Sequence, residues 1–178
     1  DKVRLIVDCN GMFDFNHARE LLKSIEPYNI SCVDHPVFDR DPRIMAELRR
    51  HTTIPIAGRA MGESQWTNRD FITAGAVDIM HANVIDGGGF TECVKVAHMA
   101  ELFHLQMGTG GAYHLHNMHL IAGVANGLWT EFHTIRERVF DVLYVKPPVA
   151  KNGRIPLSDK PGLGLEVNES AVTEYTDP

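Results

Sequence analysis

The chain has 178 residues, of which 44% are hydrophobic and 22% charged, with a formal net charge of −6. This composition is typical of a globular protein with one hydrophobic core. The 17 basic residues form no cluster beyond Arg49-Arg50, and no apolar run approaches the length of a membrane span. We therefore expect neither nucleic acid nor a membrane as a partner.

The cysteines indicate a reducing environment. Cys9, Cys32 and Cys93 are an odd number of residues and lack the Cys-x-x-Cys spacing of many metal and redox sites. Two of them fall inside predicted strands, and the N-terminus shows no signal-peptide pattern. We expect them to be reduced core residues of a cytoplasmic protein.

Six short apolar runs end in polar residues. The first is Leu5-Ile6-Val7, which is followed by Asp8, Cys9 and Asn10. Such a run is typical of a buried parallel strand with its polar residues at the carboxyl end. The predicted strands are 5–10, 30–36, 54–59, 77–83, 105–109 and 129–133.

Segments with helical periodicity separate these strands. The predicted helices are 14–25, 41–50, 64–74, 90–103 and 113–125. Alternation of strand and helix predicts a parallel sheet with outer helices, either closed into a barrel or open and doubly wound. We assign residues 1–146 to this barrel portion. Residues 147–178, rich in Pro, Gly and charge, are predicted to extend over the barrel or a capping region.

Histidine is unusually frequent in the second half of the chain. Of the ten histidines, most lie between His81 and His133, near the carboxyl ends of predicted strands. In barrels of this kind the carboxyl ends of the strands carry the active site. The cluster therefore favours a functional site.

The order of the motifs resembles the enolase superfamily, in its mandelate racemase and muconate-lactonising branch. Segments similar to its third to sixth and eighth barrel strands are Val7–Asn10, Val33–Val37, Ile54–Gly58, Asp78–Glu92 and Trp129–Glu131. Residues 152–157 and 161–167 resemble its C-terminal signature. The resemblance implies an α/β fold: a partial (β/α)8 TIM-like barrel of about six parallel strands with outer helices and an extended C-terminal segment.

The resemblance also implies proton abstraction next to a carboxylate, assisted by Mg²⁺ on three acidic side chains. The abstraction creates an enediolate, whose charge a divalent cation neutralises. Asp8 matches the first ligand, and Asp34 occupies the second position, where Glu is usual. The third position falls at Arg59 or Ala60, neither of which binds a cation, so Glu63 is the remaining acidic candidate.

The acid–base residues depart from the family pattern as well. Asn83 stands where the sixth strand usually carries Lys or Asp, and glycines occupy the seventh-strand position of a catalytic His. Glu131 is retained on the eighth strand, and its counterpart in mandelate racemase hydrogen-bonds the substrate carboxylate. We predict catalytic roles for His35, His81, His114 and Glu131, and substrate binding by Asn10, Arg59 and Asn83.

The chain carries no match to the family's second-strand Lys-x-Lys pair or to its N-terminal capping domain. Either the chain is a fragment of a longer protein, or it completes its barrel with another chain. Six strands of an eight-stranded barrel leave two unpaired edges, which favours assembly. We expect the barrel to be completed either by another copy of the chain, in a homo-oligomer, or by a missing N-terminal part of the same protein.

Three functions are consistent with these residues. The first is a lyase or isomerase, an acid-sugar dehydratase or racemase that acts on a small carboxylate substrate with Mg²⁺. The second is a non-catalytic relative that binds a small acid through Arg59, Asn83 and histidines. The third is different chemistry on the same barrel, with Arg59 as the electrophile and a histidine as the base.

Overall fold

The computed structural model of the protein describes residues 3–38, 41–59 and 64–176. Six parallel strands pair in sequential order and curl into a half-barrel surrounded by helices. The strands are β1 (Ile6–Asp8), β2 (Cys32–Asp34), β3 (Ile56–Gly58), β4 (Ile79–His81), β5 (Gln106–Thr109) and β6 (Gly127–Thr130). The predicted α/β fold, a partial TIM-like barrel, is confirmed.

All five predicted helices are present, and two further helices follow them. The helices are α1 (Phe15–Ile25), α2 (Pro42–Arg49), α3 (Gln65–Ala74), α4 (Gly89–Leu102), α5 (His114–Gly123), α6 (Thr134–Leu143) and α7 (Glu169–Tyr175). The two helices absent from the prediction have weak signals, because α6 buries only Phe140 fully and α7 spans seven residues. None of the helices in the described ranges is long and apolar enough to cross a membrane.

Side-chain caps fix the turns that lead from strand to helix. Asp14 accepts a hydrogen bond from the backbone N–H of His17 at 2.9 Å, which starts α1. Ser64 and Thr67 form a capping box at the start of α3. Each cap satisfies backbone donors that the first helical turn leaves without a partner. The helices therefore begin close to the residues that the sequence predicts.

The core lies on both faces of the central strands. The larger cluster fills the space between the sheet and the outer helices, with Leu22, Leu48 and Phe71 among its members. A smaller cluster of Cys32, Ala57 and Ile79 lies on the opposite face of the sheet. Burial on both faces explains why these strands read as continuous apolar runs. All three cysteines are buried, as predicted.

Strands β1 and β6 stand at the two edges of the sheet. Within the described residues no pairing joins β1 to β6, so the barrel is open there. Leu5 and Ile6 at the β1 edge are 54% and 46% exposed. Completion of the barrel by further strands, from the same protein or a partner, stays a prediction.

The C-terminal segment is tied to the barrel portion through α6. Tyr144 bridges to Val167, and the Val145 N–H donates to the Glu166 carbonyl at 2.8 Å. Ile155 and Leu165 pack against a cluster built from α5 and α6. Between α6 and α7 the described chain forms no helix or strand, and the assignment of residues 147–178 as a unit of their own stays a prediction.

We expect Leu48→Ala to lower the free energy of unfolding by about 2–5 kcal/mol, because it leaves a cavity in the larger core cluster. Leu48 on α2 is 0% exposed, whereas Leu102 at the end of α4 is 80% exposed. Urea denaturation of both leucine-to-alanine variants tests this, and Leu102→Ala should change stability by about 0.5 kcal/mol or less. Equal losses in the two variants would show that the described core is wrong.

Candidate active site

The tips of β1 and β2 place two carboxylates side by side. Asp8 and Asp34 occupy paired positions in the β1–β2 register. The loops that follow are joined to each other, since the Gly11 N–H donates to the His35 carbonyl at 2.7 Å. Asn10 and His35 both adopt positive φ angles, 48° and 43°, which turn the chain sharply just beyond the strands. The two predicted metal ligands therefore meet at one edge of the sheet.

Asp34 lies at the centre of the charged groups. Its Oδ1 is 2.7 Å from His35 Nδ1 and 3.4 Å from His81 Nδ1, and its side chain is 14% exposed. Burial opposes ionisation, but the His35 contact and the charges of His81, His35 and Arg59 hold the pKa of Asp34 below its usual value. Neither histidine meets Oδ1 in hydrogen-bond geometry, so this buried oxygen has no hydrogen-bond partner in the described structure.

His35 is held from both sides of its ring. Its Nε2 accepts the backbone N–H of Arg59 at 3.2 Å. A neutral imidazole has one donor and one acceptor nitrogen, so the proton resides on Nδ1, which faces Asp34. The ring thus turns an N–H toward the carboxylate.

His81 lies behind Asp34, at the end of β4. Its side chain is 3% exposed, and burial lowers its pKa to about 4, against the opposing charge of Asp34. The ring packs edge-on against Trp129, with 6.2 Å between the ring centroids. Gly108 leaves room for the His81 ring, because a Cβ atom at this position would lie 2.9 Å from the ring. His81 is therefore a closely packed imidazole whose neutral form is favoured by burial and whose charged form is favoured by Asp34.

Arg59 and Asn83 lie beside the loop that follows β5. A Cβ atom at Gly111 would lie 2.3 Å from Asn83 Nδ2 and 3.4 Å from an Arg59 guanidinium nitrogen, so this loop position requires glycine. Asn83 is buried and donates to the Gly110 carbonyl at 3.0 Å. The Arg59 side chain is 16% exposed, with one guanidinium nitrogen 3.8 Å from Asp86. Asn83 therefore supports the loop, while Arg59 brings positive charge to the site.

Glu131 follows β6 on the far side of the half-barrel. Its Oε2 accepts the Ala112 N–H at 3.1 Å, and its own N–H donates to the Thr109 carbonyl at 3.3 Å. Both contacts tie Glu131 to the β5 loop. Its carboxylate is thereby held near the same glycine-rich turn as Arg59.

These groups surround a cavity of about 400 Å³ at the carboxyl end of the sheet. Six predicted residues line it: Asp8, Asn10, Asp34, His35, Arg59 and Glu131. Among the other lining residues, the sequence-based prediction missed two with ionisable side chains, His133 and Arg136. The available signal was their place in the loop after β6 and the first turn of α6, where a barrel strand delivers residues to the site.

Three predicted site residues lie apart from the cavity wall. Asn83 and His81 stand behind it, and His114 packs at the start of α5 against Phe132 and Phe140, with ring centroids 4.4 and 5.1 Å away. Glu63 lies outside the described residues. A cavity of similar size, about 410 Å³, opens at the opposite ends of the strands, where Arg49 is already bonded to Asp78.

The two carboxylates suit a hard divalent cation. Mg²⁺ prefers oxygen ligands, which Asp8 and Asp34 supply from adjacent strands. The buried Asp34 Oδ1 lacks a hydrogen bond in the described structure, as expected of an atom that a bound cation would satisfy. The described residues therefore fit the cation in part, with Glu63 left as the predicted third ligand.

Comparison with known proteins assigns the chain to a family. Residues 1–171 match the family model described as "Enolase C-terminal domain-like", so the chain belongs to that family. This confirms the predicted resemblance. An arabinonate dehydratase from Saccharolobus solfataricus is 26% identical over 179 residues, covering 98% of this chain and 48% of the relative. A D-galactarolactone cycloisomerase from Agrobacterium fabrum is 27% identical, covering 99% of this chain and 50% of the relative.

Solved structures agree with this assignment. L-Talarate dehydratase from Polaromonas sp. JS666, complexed with Mg and L-glucarate, is 26% identical with a TM-score of 0.86, over 96% of this chain and 46% of that one. A mandelate racemase/muconate lactonizing enzyme from a marine actinobacterium, in complex with magnesium, has a TM-score of 0.88 at 27% identity, over 98% and 49% of the two chains. The chain spans about half the length of the curated relatives it matches.

We expect His114 to make stability depend on pH. Burial, followed by the charges of His116 and His133, lowers its pKa from 6.5 to about 4 in the folded protein. The unfolded chain therefore binds more protons between these values, and stability falls as the pH drops from about 6.5 toward 4.

Urea denaturation at a series of pH values measures this slope. His114→Phe should reduce the loss of unfolding free energy between neutral pH and pH ~4 by on the order of 2 kcal/mol. His98→Gln, which changes an exposed histidine on α4, serves as the control and should leave the slope intact. An unchanged slope in His114→Phe would contradict the described burial of His114.

Proposed function

We propose that the chain forms most of the barrel of an acid-sugar lyase or isomerase, of the dehydratase or racemase type, which removes the proton next to a substrate carboxylate. The observation that carries this proposal is the single cavity that collects Asp8, Asp34, His35, Arg59 and Glu131. Membership of the family, whose matched relatives include acid-sugar dehydratases and a cycloisomerase, supports the reaction class.

In this proposal Asp8 and Asp34 would hold Mg²⁺ together with Glu63. When bound, the cation would supply positive charge beside the oxygens of the enediolate as that charge develops. The C–H group next to a carboxylate is very weakly acidic. Stabilisation of the enediolate is therefore the largest contribution that the site can make to the reaction rate. Solved relatives with bound magnesium support the choice of ion.

The other residues of the cavity divide the remaining roles. Arg59 would bind the negatively charged substrate, with Asn10 beside it at the cavity wall. Glu131, fixed by the Ala112 N–H, would hydrogen-bond the substrate carboxylate in its protonated form. In a dehydratase the β-hydroxyl group of the substrate then leaves as water, and the acid that protonates it must also come from this cavity.

We assign the proton transfer to His35 among the three predicted histidines. It lines the cavity, whereas His81 lies behind Asp34 and His114 packs against Phe132 and Phe140. His35 must release the Arg59 N–H from Nε2 before that nitrogen accepts a substrate proton. His133 also lines the cavity. The variant His133→Gln is therefore the matched comparison for His35→Gln in turnover assays.

A second candidate function is metal-independent binding of a small acid. It is favoured by Arg59, whose charge stands at the cavity where the family places the third metal ligand. In this case the guanidinium replaces the cation as the partner of the carboxylate. Binding of sugar acids that persists in EDTA, without turnover, would select this function over the first.

We expect Asp8→Asn to weaken Mg²⁺ binding roughly tenfold or more, because it removes a charged oxygen ligand without changing the shape of the side chain. Calorimetric titration of the full natural protein measures the affinity. Asp141→Asn, at an exposed position on α6, is the control and should bind as the unchanged protein does. Equal Mg²⁺ affinity in the Asp8 variant would remove Asp8 from the site.

We expect Arg59→Gln to lower the affinity for sugar acids at least roughly tenfold, since a charge-assisted contact to the carboxylate is lost. Arg59→Lys should recover part of the affinity, and Arg138→Gln, an exposed arginine on α6, should change nothing. Equilibrium binding of glucarate and gluconate to the four proteins measures this. Unchanged binding in Arg59→Gln would exclude Arg59 as the substrate anchor.

A further inference from the structure

We infer that His81 is a nitrogen ligand of the cation at Asp34, so that the site accepts borderline transition ions such as Mn²⁺, Co²⁺ or Zn²⁺. The inference rests on the proposed function only in placing a divalent cation at Asp34. It concerns which atoms bind that cation, and its test is a binding and spectroscopic measurement rather than turnover.

The spacing of the atoms supports a shared ion. One donor atom each from Asp34, His35 and His81 lie within 4.8 Å of one another. Asp34 Oδ1 and His81 Nδ1 are 3.4 Å apart. Two ligands about 2.1 Å from one ion stand about 3.0 Å apart in octahedral geometry and about 3.4 Å apart in tetrahedral geometry, whereas a direct N–H···O hydrogen bond is about 2.9 Å. The observed separation is therefore long for a hydrogen bond and suits two ligands of one ion.

The environment of His81 supports the same reading. Both ring nitrogens are buried and have no hydrogen-bond partner in the described part of the chain. A buried polar atom left without a partner destabilises the folded protein. The ring has little freedom to turn away, because a Cβ atom at Gly108 would lie 2.9 Å from it and one at Gly110 would lie 3.4 Å from Nδ1. A bound ion satisfies Nδ1 without any movement of the ring.

His35 has a different role at this site. Its Nδ1 is 2.7 Å from Asp34 Oδ1, which is closer than two ligands of one ion usually stand. Its Nε2 accepts the Arg59 N–H, so the proton is on Nδ1 and no lone pair there faces the ion. His35 therefore orients the carboxylate as an outer partner, an arrangement common around bound metals. Asp34 and His81 remain as the ligands in this cluster, and Asp8, in register with Asp34 on the adjacent strand, lies outside it.

The donor set determines the kind of ion. Imidazole nitrogen suits zinc, iron, nickel and copper, whereas carboxylate and water oxygens suit magnesium and manganese. A site with one nitrogen donor and one carboxylate donor accepts both groups. Loss of the nitrogen should therefore weaken the binding of transition ions much more than that of Mg²⁺.

The test is a comparison of two affinities in the full natural protein. Calorimetric titrations with Co²⁺ and with Mg²⁺ are made on the unchanged protein and on His81→Gln. We expect Co²⁺ affinity to fall roughly tenfold or more in the variant and Mg²⁺ affinity to change less than about twofold. His98→Gln, an exposed histidine on α4, should leave both affinities unchanged.

A spectroscopic measurement covers the case in which His81→Gln does not fold. Pulsed EPR of Mn²⁺ bound to the unchanged protein should show coupling to an imidazole nitrogen. An absent nitrogen coupling, or an equal loss of Co²⁺ and Mg²⁺ affinity in a folded variant, would overturn the inference. Failure of the proposed function is distinct, since it would appear as no divalent-ion binding and no turnover in the unchanged protein.

Discussion

The ionised Asp34 carboxylate is the group on which the rest of the site depends. A buried charge is stable only when opposite charges or hydrogen-bond donors compensate for lost hydration. Asp34 has its compensation from His35, 2.7 Å away, from His81 at 3.4 Å, and from the charge of Arg59. These partners come from the ends of β2, β4 and β3. The position of one carboxylate thereby fixes three loops at the mouth of the half-barrel.

Glycine provides the room for this arrangement. Gly108 admits the His81 ring and Trp129, and Gly111 admits Asn83 and Arg59 at distances that a Cβ atom would prevent. Glycine at these positions lets the His81 ring from β4 and the Arg59 guanidinium, which follows β3, approach Asp34.

The fold could be predicted from the sequence because each element carries a strong local signal. Continuous apolar runs mark the strands, of which β3 and β4 are buried on both faces, and caps such as Asp14 and Ser64 mark helix starts. Helix α6 escaped prediction since most of its apolar residues are exposed. The site could be predicted only where residues lie at strand tips, as Asp8, Asp34 and Arg59 do. Nothing in the local sequence separates His35, at the cavity, from His114, packed between two phenylalanine rings.

The central claim is that Asp34 is the core of a divalent-cation site. Its most direct test is calorimetric titration of Mg²⁺ into the full natural protein and into Asp34→Asn, whose side chain has the same shape but carries no charge. The account predicts one bound ion per chain in the natural protein and loss of that binding in the variant. Equal binding by both proteins, or no binding by either, would contradict it.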